Sequence, residues 1–181
     1  MISWLGDLIK RVNFLKEWID YGVPNIYWIS GLSFPQGFLT GTLQNFARKH
    51  KVAIDKISFD FIWMDHMTVE DVKEKPEDGI YVYGLYLEGT KWNYEKHDID
   101  QPIPKELYSE LPIVWLKPKE DRVTPEQGIY QCPMYRVTSR TGTLKTTGHS
   151  TNFVMFIELP TDEGSDVWIR AGAASFLALR Y

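Results

Sequence analysis

Apolar residues recur along the chain at two different periods, and the change of period near residue 54 divides it in two. In the first stretch Leu5, Leu8, Val12, Leu15 and Ile19 return at alternating intervals of three and four residues. That spacing places side chains on one face of an α-helix. Ser3 is positioned to cap its start, and Gly22 and Pro24 lie just beyond its end. The stripe is two heptads long, too short to hold a coiled coil on its own. Trp4 and Trp18 widen it, so the helix docks either on the rest of its own domain or on a partner surface.

Ser33-Phe34-Pro35-Gln36 matches a capping box, with Ser33 accepting from first-turn amides and Gln36 reaching back to the Ser33 amide. Leu39, Leu43, Phe46 and Ala47 then supply the buried stripe of a second helix. Arg48, Lys49 and Lys51 close its last turn, where cations suit the helix dipole.

Beyond residue 54 the pattern alternates. Ile57, Phe59, Phe61 and Trp63 share one face of a strand, opposite Lys56, Ser58 and Asp60. A strand pair is predicted within 79–87, apolar on both faces, and further strands over 113–116, 130–138 and 153–159. Breakers separate them, among them Pro76, Pro102, Pro104, Lys117-Pro118 and Pro160. The tail 171–179 has helical propensity, but closing a barrel makes it the last strand, and strand is expected after Asp166. The predicted fold is α+β: N-terminal amphipathic helices (1–53) followed by an antiparallel β-barrel of about six strands (54–181).

Composition narrows the function classes. Of 181 residues, 44% are apolar, with 7 Trp, 10 Tyr and 9 Phe, enough for a core that buries about 70% of the unfolded surface. The 20 Lys and Arg against 24 Asp and Glu leave a formal charge of −4, so the basic stripe of a nucleic-acid binder is missing. The one cysteine, Cys132, cannot form an intramolecular disulfide and reads as a small buried hydrophobe in the run 129–135. No stretch approaches the roughly 20 apolar residues that span a bilayer, and Met1-Ile2-Ser3-Trp4-Leu5-Gly6-Asp7 carries neither a basic n-region nor a long apolar h-region. A cytosolic setting is expected.

Recognisable catalytic signatures are sparse. Thr141-Gly142-Thr143-Leu144-Lys145-Thr146-Thr147-Gly148 resembles a P-loop, but the second glycine is missing before Lys145 and its flanks read as strands. A Thr- and Gly-rich hairpin loop is the expected reading. The histidines at 50, 66, 97 and 149 form no helical pair, and none sits in a Cys-x-x-Cys framework. His97, Asp98 and Asp100 form a small polar cluster, read as a solvated loop with acid–base chemistry as the alternative. Trp92, Tyr94, Tyr108 and Trp115 are core aromatics or a ligand face. No catalytic, cofactor-binding or metal-binding residue is assigned.

Read as blocks, the sequence resembles the C-terminal region of dynein heavy chains. The resemblance is carried by Ser30-Gly31-Leu32-Ser33-Phe34-Pro35-Gln36-Gly37 and the rest of 30–48, then by 54–61 and 77–92 with Gly84-Leu85-Tyr86-Leu87-Glu88-Gly89-Thr90-Lys91-Trp92. It continues through 111–116, 130–135, 138–144 and 153–160, in order. The 84–92 block is more similar to ciliary heavy chains than to the cytoplasmic motor. Trp168-Ile169-Arg170-Ala171-Gly172 fits, whereas Ala173-Ala174-Ser175 is smaller than the family usually carries.

The resemblance implies a non-catalytic structural and regulatory domain at the end of an axonemal heavy chain, with helices bridging modules and a small β-barrel. Such a domain lies on the AAA+ ring of a minus-end-directed microtubule motor and modulates its ATP-driven motility. ATP and magnesium belong to the parent AAA+ modules, and none to this segment. Partners are the ring, other dynein subunits and, through the parent, microtubules; neither nucleic acid nor membrane is expected. The setting is the cytoplasm, cytoskeleton and axoneme of cilia or flagella. The helix bearing Trp4, Leu8, Leu15 and Trp18 is the candidate interface. The rival is a stand-alone β-barrel that binds a ligand or peptide, or a hydrolase using the His97 loop.

Overall fold

The computed structural model describes residues 2–140 and 152–179. In sequence order its main elements are α1 (Ile2–Tyr21), β1 (Ile26–Trp28), α2 (Pro35–His50), β2 (Ile57–Met64), β3 (Ile80–Tyr83), β4 (Tyr86–Glu88) and β5 (Lys91–Asn93). Then follow β6 (Asp98–Asp100), β7 (Ser109–Glu110), β8 (Ile113–Glu120), β9 (Ile129–Val137), β10 (Phe153–Pro160), α3 (Ser165–Ala171) and β11 (Ala174–Ala178). The Thr- and Gly-rich stretch 141–148 and His149 lie outside the described residues.

Two compact units divide these elements, and the polypeptide passes between them more than once. The first comprises the residues through Tyr83 together with Ile113–Asp121. Its sheet runs β1-β3-β8-β2, with β1 parallel to β3 and the other pairs antiparallel. Ile26, Val72 and Ile113 centre one cluster, joined by Met64, Met67, Val69, Tyr81 and Tyr83. The second unit comprises Gly84–Pro112 and the residues from Arg122 onward. Its main sheet runs β10-β9-β11-β4-β7, with β9 and β11 parallel, and β5-β6 forms a separate hairpin. Leu87, Cys132, Leu159 and Phe176 are fully buried there. The fold is therefore mixed α+β, with parallel as well as antiparallel pairs; no closed barrel is found among the described residues.

Several boundaries differ from the sequence reading, each for a local reason. Ser3 falls inside α1, which starts at Ile2. Helix α2 starts at Pro35 with Phe34 at the cap position and no hydrogen bond from a capping residue, so Ser33 lies outside the expected capping box. Proline fits the first helical position, where its fixed φ suits the helix and its missing N–H has no partner to lose. The predicted pair within 79–87 is instead two strands in different sheets. Gly84, at φ 79°, interrupts them.

Pro118 does not break its strand. It lies within β8 opposite Phe59, past the last residue that β8 pairs with β3, so no ladder donor is missed on that side. Pro133 occupies the matching place in β9, one residue before pairing with β11 begins. In the tail, Asp166 to Ala171 is helical and the strand starts only at Ala174. The short helix α3 buries Trp168, whose indole N–H donates to Thr161 Oγ1 at 2.9 Å. Gly172, at φ 67°, then leads into β11.

Candidate functional site

Helix α1 has two apolar surfaces, and only one of them is used within its own unit. Phe14 sets its ring edge-on to Trp28 at 6.0 Å and to Trp18 at 6.2 Å. Trp18 in turn meets Tyr27 at 5.5 Å and Phe38 of α2 at 6.4 Å. Edge-to-face pairs at such separations add to simple area burial. Lys10 and Arg11 lie over the Trp28 ring, 4.3 and 5.5 Å from its centroid, and Arg11 donates to the Ser30 carbonyl. The approach is close enough that a Cβ at Gly31 would fall 2.7 Å from the Trp28 ring and 3.0 Å from Phe14.

A neighbouring surface carries Trp4, Leu5, Leu8, Val12, Leu15 and Ile19, which are between 41% and 84% exposed. This is the regular three-and-four stripe of the sequence, and it is uncovered. Of the four interface candidates, Trp4, Leu8 and Leu15 lie on this open surface. Trp18 does not: it turns inward and is half-buried. Sequence reasoning missed Phe14, which shares the anchoring with Trp18; its spacing of four residues from Trp18 was the available signal.

Helix α2 is held at its C-terminal end. Lys49 Nζ donates to Asp78 Oδ1 at 2.8 Å, and His50 Nε2 lies 3.1 Å from both Asp78 oxygens. Burial pushes the Asp78 carboxyl upward, but the hydrogen bonds from Lys49 and His50 outweigh it and hold the carboxyl below its ordinary range. The Asp78 carbonyl accepts from the Trp115 indole at 2.9 Å. Lys49 and His50 thus serve a structural contact.

The other candidate chemistry is dispersed. Trp92 is buried, Tyr94 is exposed, Tyr108 packs edge-on to Phe176 at 6.3 Å, and Trp115 belongs to the first unit. His97 lies at the turn between β5 and β6, with φ 59°. Asp98 is buried rather than solvated, and burial raises its carboxyl pKa. Asp100 is lowered, first by the Gln101 amide and then by Asn93. Cys132 is fully buried, and burial pushes its thiol pKa up. Among the described residues, no three His, Cys, Asp or Glu side chains are grouped to hold a metal ion, and no helix is long and apolar enough to cross a membrane.

Residues 1–177 match the family model of the C-terminal domain of the dynein heavy chain. The chain belongs to that family. It is 47% identical over 181 residues to dynein axonemal heavy chain 1 of Rattus norvegicus, covering 100% of this chain and 4% of that protein. It is 49% identical over 177 residues to dynein axonemal heavy chain 3 of Homo sapiens (98% of this chain, 4% of that protein). Dynein axonemal heavy chain 12 of Homo sapiens is 41% identical over 172 residues (95% and 6%). This dynein C-terminal domain thus spans only a small fraction of the length of the curated relatives it matches.

Proposed function

We propose that this protein is the non-catalytic C-terminal domain of an axonemal dynein heavy chain, and that it braces the AAA+ ring of a minus-end-directed microtubule motor. The observation that carries the reading is the uncovered apolar stripe of α1. A helix so anchored on one side by Phe14 and Trp18, with Leu8, Val12 and Leu15 open on the other, is built to bridge two bodies. In this reading the helical part, residues 1–53, makes the contact and the strand-rich part, 54–181, completes the strut. ATP and magnesium are bound by the parent modules, which perform hydrolysis. The setting is the axoneme of a cilium or flagellum, with other dynein subunits and microtubules reached through the parent.

Bracing changes motor output only if it favours one ring conformation over another, because a contact equal in both states shifts nothing. The test is a heavy chain lacking the segment equivalent to residues 1–22. Altered ATPase rate and microtubule gliding velocity are the expected result. Unchanged values of both would refute the reading.

A further inference from the structure

We infer that the open stripe of α1 pairs with a second α-helix, one lying outside residues 1–181 and bearing carboxylates along the edges of its own apolar stripe. The inference deepens the docking reading above and rests on it. Three observations select this occupant. First, Leu5, Val12 and Ile19 fall at every seventh position, with Leu8 and Leu15 between them. That is the a/d spacing whose period of 3.5 suits another helix and not a flat sheet. Second, the helix already rests on its own unit through Phe14, Trp18 and Arg11, so the a/d stripe is surplus to that contact.

Third, the positions flanking the stripe, e and g of a heptad, are Trp4, Ile9, Arg11, Lys16 and Trp18. They include two cations and no acid; Asp7, Glu17 and Asp20 all fall elsewhere on the helix. A second copy of α1 is therefore disfavoured, since parallel pairing sets Arg11 opposite Lys16 and antiparallel pairing supplies no carboxylate either. Arg11 is engaged with Asp7 at 2.7 Å and with Ser30. Lys16, with its side chain 69% exposed and paired across the surface with Asp20, is the cation that meets the partner. The length outside this segment is ample, because the relatives extend far beyond the matched residues.

Zero-length carbodiimide coupling of the full heavy chain, read by mass spectrometry, tests this, because it joins an amine to a carboxylate already in contact. The expected product links Lys16 to an Asp or Glu within a helix that has its own three-and-four apolar stripe, and Lys16→Arg abolishes the link. Hydrogen exchange across 5–19 in the same protein is expected to show protection that Lys16→Glu reduces. A link to a strand or loop overturns the helix pairing while leaving the docking reading intact. A link to a second copy of the heavy chain also overturns it. A link to Asp20 alone, with α1 unprotected, overturns both.

Discussion

Arg122 grips Glu158 with two prongs: Nη1 donates to Oε1 at 2.8 Å, and Nη2 donates to Oε2. Gln131 adds a third donor at 3.2 Å. Both charged side chains are less than a tenth exposed, which sets this pair apart from the surface pairs of α1. Removing one member takes from a buried charge its bidentate counter-ion, so Arg122→Met or Glu158→Leu alone is expected to cost about 3–5 kcal/mol. The double variant is expected to regain most of that loss. Urea unfolding of the four proteins measures the coupling; additive losses would contradict a closed pair.

The two surfaces of α1 separate stability from docking. Leu8→Glu and Leu15→Glu change only exposed positions, and folding stability should stay within about 0.5 kcal/mol. Phe14→Ala and Trp18→Ala remove the ring contacts to Trp28, Tyr27 and Phe38. Losses of about 2–3 kcal/mol are expected, short of those for a fully buried aromatic. Thermal melts of the four single variants decide the matter, and equal losses on both faces would be the adverse result.

Alkaline pH should weaken the second unit. Burial raises the Cys132 thiol and pushes the Tyr130 phenol to about 12; that phenol donates to the Ala173 carbonyl at 2.8 Å. Both groups are neutral when protonated, and both bind their protons more tightly when folded. Their contribution is therefore whole below the unfolded values, about 8.5 for Cys and 10 for Tyr, and is lost as pH climbs through the folded ones. Stability is expected to decline from about pH 8.5 upward, and Cys132→Ala to flatten the first part of the decline. Thiol labelling should be slow until the protein unfolds.

Glycines 79 and 6 should respond in opposite directions. Gly79 has φ 82°, and a Cβ there would meet the Leu116 carbonyl oxygen at 2.1 Å and Pro118 Cδ at 2.7 Å. Gly79→Ala is expected to cost at least about 2 kcal/mol. Gly6 lies within α1, and a Cβ there would have no neighbour within 4 Å, so Gly6→Ala should stabilise by roughly 0.5–1 kcal/mol. Denaturant midpoints measure both, and a shared sign would refute the contrast.

Much of the fold was legible where one local rule acts alone. The helices over 2–21 and 35–50 and the strands β2, β8, β9 and β10 follow from period, because a 3.6- or 2-residue repeat depends only on which side faces the core. The misreadings cluster where a local signal competes with pairing. Lys117-Pro118 looks like a breaker in sequence, yet Pro118 sits within β8, past the end of its pairing with β3. Gly84 looks like a bend within one strand pair, yet it separates strands that join different sheets.

By itself the sequence determined the helical stripe of α1, the family of the protein, and the absence of a basic stripe. Each of these depends on residue order along the polymer and on nothing distant. Only the tertiary structure decided which face of α1 is spent. The stripe alone reads as a buried face, but the docking of α1 runs through Phe14, Trp18 and Arg11 against Trp28, Tyr27 and Ser30, residues brought near only by the turn at Gly22 and the strand after it. A periodic pattern says that one side of a helix is apolar. It cannot say what that side faces, because burial is a property of neighbours and not of spacing.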